Sequence, residues 1–363
     1  MCLYTKRILN KRYLPTRKNW WTPPICTDER LRYIDIECGK CYECKRKKAR
    51  EWRIRNAEQL KETPIATFFT GTFTDERIEK LSKKYSIPKE EVNEIATKEV
   101  RLFLERIRRI NGGKSIKHWI VTEKGHTNTR RIHIHGIFYA EDGMSAYRLN
   151  KLLHDNWIAG YSYNGKYVNE KTINYVAKYL TKDDLDNKDF TGKILASPGL
   201  GKKYVERGKE INKFKYKQTI ENYRFRNGAV APMPKYYKNK LYTENERELL
   251  WIYKQEEGYA FVMGEKIPTK TDEDLKDLEN IKQFYRDRNK KIHFDNEDLW
   301  NWQKSKNKMQ RKLDYKKKWR KFKEKEIKKE IKSAMRFEQD ISEYGKLIGL
   351  NGYNHTVYKN LSS

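Results

Sequence analysis

The sequence predicts an α+β fold built on an antiparallel sheet with helices packed on one face. Three observations carry this. Strand-like and helix-like runs follow one another as β-α-β-β-α-β-α over residues 65–182, two of the strands are joined by a short polar loop, and no internal repeat interrupts the order. A cysteine-rich segment with a basic helix precedes this core and a basic, largely helical region follows it. The chain therefore divides into residues 1–62, 63–242 and 243–363. Its 363 residues are enough for two or three such units.

Each element has a local reason. Residues 45–61 read as a basic helix that Thr63-Pro64 ends. IATFFTGTF, residues 65–73, is β-rich and suits a central strand. Thr74, Asp75 and Glu76 offer an N-cap and an acidic first turn for the helix that follows. Apolar residues recur at helical spacing over residues 86–110, and Asn111-Gly112-Gly113 stops them. KHWIVTE (117–123) and RIHIHGIFYA (131–140) read as an antiparallel hairpin. A helix near 145–156, a Tyr/Gly-rich hairpin over 157–168 and a helix over about 170–182 complete the core. SPGLGKKY and APMPKYYK beyond it are loops punctuated by Pro and Gly.

Charge narrows the function. Lys and Arg number 80 against 50 Asp and Glu, a formal charge of +30. Such an excess repels itself unless a polyanion offsets it, so nucleic acid is the expected partner and a small-molecule enzyme is disfavoured. Tyr (25) outnumbers Phe (13), which suits wet surfaces that stack on bases. No run approaches the ~18 apolar residues of a membrane span and the first residues lack an apolar signal core, so a soluble, cytosolic protein is expected. The basic tail, with Trp302, Tyr315, Trp319 and Phe322 among lysines, reads either as a solvated helix or as a DNA-tracking one.

The five cysteines all lie near the start: Cys2, Cys26, Cys38, Cys41 and Cys44. CGKCYEC sets three thiols at successive three-residue spacings, which suits a structural Zn²⁺ knuckle better than a disulfide framework. Either Cys2 or Cys26 would supply the fourth ligand.

Two further patterns point to chemistry. Residues two apart on a strand share a face, so His133 and His135 point together and can share one divalent ion, and Glu123 ends the matching face of the neighbouring strand. Two imidazoles and a carboxylate leave coordination positions open for a phosphoryl oxygen. His118, His126, His154, His293 and His355 have no partner at ligand spacing. In TINYVAKYLTK, Ile173, Val176, Ala177 and Leu180 form an apolar stripe, and Tyr175, Lys178, Tyr179 and Lys182 lie opposite it. Two tyrosines one turn apart, each followed by a lysine, read as a pair of phenolic nucleophiles.

Taken with MCLYTK, CGKCYECKRKKAREWRIR, FFTGTFTDE, RIHIHGIF, YVAKYLTK, SPGLGKKY and APMPKYYKNKLYTENERE, these motifs resemble the replication initiation proteins of small circular single-stranded DNA phages, the microviruses, within the two-histidine (HUH) endonuclease superfamily. The resemblance runs from residue 1 to about 250 and leaves out the basic tail. It implies a ferredoxin-like, RRM-like core and a rolling-circle initiator that cuts and joins origin DNA. It also implies His133, His135 and Glu123 as ligands of Mg²⁺ or Mn²⁺, Tyr175 and Tyr179 as nucleophiles, and Lys178 and Lys182 as their companions. Single-stranded and origin DNA, a host helicase and the host replisome would be the partners, in the bacterial cytoplasm. This chain has Ile132 where many relatives have Pro, and Asp75 or Glu76 also stand near enough in sequence to complete the metal site. A plasmid relaxase or initiator would share the chemistry. A non-catalytic single-strand-binding protein would use the tyrosines only for stacking, and an H-x-H oxygenase would have no use for the charge.

Overall fold

The computed structural model describes residues 1–125, 130–165, 167–181, 190–291, 324–325, 327–328 and 332–333. The chain divides into two compact units, Met1–Asn296 and Glu297–Ser363. In the second, the described residues are helical. The aromatic–lysine stretch around Trp302, Tyr315, Trp319 and Phe322 lies outside the described residues, as do His126, Lys182, His293 and His355.

The first unit opens with an antiparallel ribbon of β1 (Lys6–Leu9) and β2 (Tyr33–Ile36) and then helix α1 (Tyr42–Glu62). Thr63 closes α1 and Pro64 cannot continue it, as its sequence predicts. Next come β3 (Ala66–Thr72), α2 (Asp75–Tyr85) and α3 (Val92–Ile110). The Thr74 side chain accepts from the Arg77 N–H at the start of α2. Ser86 takes a left-handed φ of 52°, and Pro88 follows it. The long apolar helix therefore starts at Val92 rather than at residue 86.

The predicted hairpin forms from β4 (Lys117–Lys124) and β5 (Ile132–Tyr139), followed by α4 (Ala146–Asn156), β6 (Ser162–Asn164) and α5 (Glu170–Lys178). Residues 157–168, predicted as a hairpin, supply only the single short strand β6, which pairs with β3. Beyond the core lie β7 (Ile194–Ala196), α6 (Lys203–Gly208), β8 (Asn222–Arg224), β9 (Val230–Pro232), α7 (Lys235–Leu241), α8 (Glu244–Glu256), β10 (Tyr259–Val262), β11 (Glu265–Pro268) and α9 (Asp272–Lys291). No described helix is long and apolar enough to cross a membrane.

One antiparallel five-stranded sheet runs in the order β6-β3-β5-β4-β7. On one face, Phe69, Ile120, Ile134 and Phe138 pack against Val100 and Phe103 of α3 and Leu149 and Leu153 of α4. Each such fully buried apolar side chain contributes roughly 1.5–3 kcal/mol. Gly71 of β3 is required here, because a Cβ would come within 2.7 Å of the Trp157 ring.

The opposite face is not free, which corrects the expectation of helices on one face only. Trp119, Val121, Ile137 and Tyr139 are covered by Ala49 and Ala57 of α1 and by Ile173, Val176 and Ala177 of α5. The reason lies in α1. Its many cationic residues hide an inner side, from which Trp52 meets Trp119 (6.0 Å between ring centroids) and the Asn56 side chain accepts from the Tyr139 hydroxyl (2.8 Å). Arg55 is itself sandwiched between Trp52 and Tyr236, 4.1 Å from each ring.

Candidate active site

The register of three strands sets the site. In β4 and β5, Glu123 stands opposite His133 and Val121 opposite His135; in β3, Thr70 stands opposite His135 and Thr72 opposite His133. Directly opposed residues share a face, so Thr70, Thr72, Glu123, His133 and His135 all project from one side of the sheet. This is the side that α5 covers.

The structure brings His135 and Glu123 into direct contact: the ring Nε2 lies 2.8 Å from a Glu123 carboxylate oxygen. The other ring nitrogen, Nδ1, lies 3.0 Å from the Thr70 hydroxyl. Thr70 thus fixes the ring and leaves Nε2 facing the carboxylate, the arrangement by which an outer partner orients a metal-binding histidine. His133 is only partly buried and donates to the Arg131 carbonyl. Burial above all, and then the neighbouring His135, hold its pKa below the ordinary value, which favours the neutral imidazole a metal requires. Its ring is not drawn in with the other two. Among the described residues, the only group of three or more His, Cys, Asp or Glu side chains whose ligand atoms all lie within 4.8 Å of one another is a set of cysteines. The donor types and the shared face fit a divalent ion. Two of the three donors are already together, and the third needs a turn of the His133 ring. Asp75 is engaged elsewhere, bonded to Arg131 at 2.6 Å.

Helix α5 brings both tyrosines to this point. Asn169 caps it, accepting from the Thr172 N–H. Its stripe of Ile173, Val176, Ala177 and Leu180 is buried against the sheet as predicted. The regular helix stops at Lys178, and residues 179–181 continue it with tighter three-residue hydrogen bonds. Tyr179 lies flat on His135, with ring centroids 4.2 Å apart and parallel planes. The Tyr179 hydroxyl donates to the Tyr175 hydroxyl at 2.8 Å. Burial, reinforced by that bond, pushes the Tyr179 pKa well above its ordinary value, so the phenol keeps its proton at rest. Tyr175 is the more open of the pair, at 53% exposure. Lys178 is exposed beside them, whereas Lys182 lies outside the described residues.

Sequence reasoning missed two residues of this site. Phe68 stacks on the far side of His135 from a centroid distance of 6.1 Å and meets the edge of Tyr175 at 6.2 Å. Thr70 holds the imidazole. Both lie on β3 at the period-two spacing that also includes Thr72, so the alternation in TFFTGT was the available signal.

The second predicted cluster also assembles. Cys2, Cys38, Cys41 and Cys44 have their sulfurs within 4.8 Å of one another and are able to hold a metal ion such as Zn²⁺. Cys26, the alternative fourth ligand, is not among them. Its thiol donates to the Asp28 carbonyl at 3.2 Å.

Residues 66–184 match a family model for replication-associated proteins of the ORF2 type. The matched stretch covers less than half of the chain and includes Glu123, His133, His135, Tyr175, Lys178, Tyr179 and Lys182, but none of the cysteines. The match supports a role in the initiation of replication. No curated protein and no solved structure shows significant similarity to the chain.

Proposed function

We propose that this chain is a rolling-circle replication initiator that nicks and rejoins single-stranded DNA at an origin through a covalent phosphotyrosine. The observation that carries the reading is the stack of Tyr179 on His135, with the Tyr175 hydroxyl bonded to that of Tyr179 and the Glu123 carboxylate on the opposite edge of the imidazole. An attacking phenol and a phosphate-polarising site need this proximity.

Mg²⁺ or Mn²⁺ held by Glu123, His133 and His135 would supply Lewis-acid polarisation of the scissile phosphate. The chain's own residues do the rest. Tyr175 or Tyr179 attacks phosphorus; an O–P bond to the phenol forms, the P–O3′ bond breaks, the phenolic proton is lost and the departing 3′ oxygen takes one up. A 5′-phosphotyrosine and a free 3′-OH result. One phosphodiester replaces another, so no nucleotide hydrolysis is needed. Tyr179, donating to Tyr175, favours the phenolate form of the more open hydroxyl, and Lys178⁺ adds charge stabilisation nearby. The second phenol permits a second cut while the released 3′-OH attacks the first linkage and closes a circle. Single-stranded origin DNA is the substrate, and strand separation falls to a host helicase and replisome in the bacterial cytoplasm.

The test is incubation with end-labelled single-stranded origin DNA and Mn²⁺, followed by a denaturing gel. A protein-bound labelled fragment that chelator prevents is the expected result. Tight binding with no adduct under any divalent ion would instead mark a stacking platform for single strands.

A further inference from the structure

We infer that Cys2, Cys38, Cys41 and Cys44 bind one Zn²⁺ that staples the N-terminus to the start of α1 and, through the residues next to Cys2, to the β10–β11–α9 elements. The site lies outside the stretch that carries the histidines and tyrosines, so the inference stands apart from the nicking reading.

Sulfur geometry selects the metal. The Cys38 and Cys44 sulfurs are 3.8 Å apart and those of Cys41 and Cys2 are 3.9 Å apart. Zn–S bonds of about 2.3 Å in a tetrahedron place sulfurs about 3.8 Å from one another. All four lie within 4.8 Å, too close to enclose an iron–sulfur cubane, whose irons must fit between the thiolates. The cysteines are free thiols and not disulfides. Cys2, Cys41 and Cys44 are buried, as befits a closed structural site.

The surroundings suit a negatively charged tetrathiolate. The Cys38 N–H donates to the Cys2 sulfur at 3.3 Å, and the N–H groups of Lys40 and Cys41 donate to the Cys38 sulfur at 3.4 and 3.2 Å. Cys41 is the N-cap of α1, so the positive end of a long helix dipole points at the sulfurs.

The staple reaches further than its ligands. Next to Cys2, Leu3 is fully buried in a cluster with Val262, Ile267, Leu278 and Tyr285. Arg286 donates to the Leu3 carbonyl at 2.8 Å, and the Met1 amine donates to the Phe261 carbonyl at 2.7 Å. Metal bound through Cys2 therefore holds the peg on which β10, β11 and α9 dock.

The test uses the full chain, purified reduced and supplied with zinc. Elemental analysis is expected to give about one Zn²⁺ per chain, kept in Cys26→Ser and reduced at least tenfold in Cys2→Ser and Cys41→Ser. A zinc chelator is expected to speed proteolysis within residues 259–291 and expose four more thiols to a thiol reagent, both reversed by zinc. Should the serine variants fail to fold, the wild-type chelator and thiol measurements decide alone. Iron in place of zinc, no zinc at all, undiminished zinc in Cys2→Ser, or proteolysis indifferent to chelation would overturn the proposal.

Discussion

His135 is held on three sides: Thr70 at Nδ1, Glu123 at Nε2 and the Tyr179 ring across its face. Removing the Thr70 hydroxyl should therefore cost activity without unfolding the protein. Thr70→Val is expected to lower adduct formation about 10–100-fold, the usual effect of losing an outer partner of a metal-binding histidine, with a melting temperature close to wild type. Tyr179→Phe keeps the ring stack but deletes the donor to Tyr175; it should still form an adduct and fail in strand transfer, which needs two phenols. The faces carrying these side chains are legible because period two on a strand and period 3.6 on a helix are written locally. Thr70 and Phe68 are not, because their partnership with His135 depends on which strand lies beside β5 and in what register. The turned-away ring of His133 is likewise set by the Arg131 carbonyl, a contact no spacing encodes.

Among the elements, α3 carries a feature that its apolar periodicity does not reveal. Glu99 is fully buried and is held by Arg77 of α2 at 2.5 Å and Arg106 at 2.8 Å. Truncating it leaves two cations without their partner, so Glu99→Ala should cost about 3–5 kcal/mol, measured as a lower denaturant midpoint. A well-packed Met at the same place should cost less. The strands and helices between residues 66 and 178 are readable because hydrophobic pattern and turn chemistry agree there. Two kinds of element are not. The β10–β11 hairpin falls in a stretch so rich in charge that it reads as helix, although Gly258 and Gly264, both at positive φ, bracket an alternating run. Helix α1 reads as a basic helix alone, since long cationic side chains conceal the apolar and aromatic residues with which it covers the sheet.

At the scale of the molecule, the net charge of +30 should make single-strand binding steeply salt-dependent. Affinity is expected to fall linearly on a log–log plot against salt, and a flat plot would remove the electrostatic argument. Stability should also depend on pH. Burial holds the His118 pKa below its ordinary value, opposed by its bond to the Ile116 carbonyl. Below about pH 6.5 the unfolded chain takes up a proton that the folded one resists, so stability falls as pH drops toward the folded pKa. Urea midpoints should decline across that interval, and His118→Asn should decline less. Both charge and sheet serve one claim, that a phenol beside a paired histidine becomes covalently joined to DNA. The most direct measurement is peptide mass spectrometry of protein trapped with single-stranded origin DNA and Mn²⁺ after nuclease digestion. The account predicts a nucleotide remnant on Tyr175 or Tyr179 and none in the Tyr175→Phe, Tyr179→Phe double variant. A remnant on any other residue, or an adduct that survives the double substitution, would contradict it.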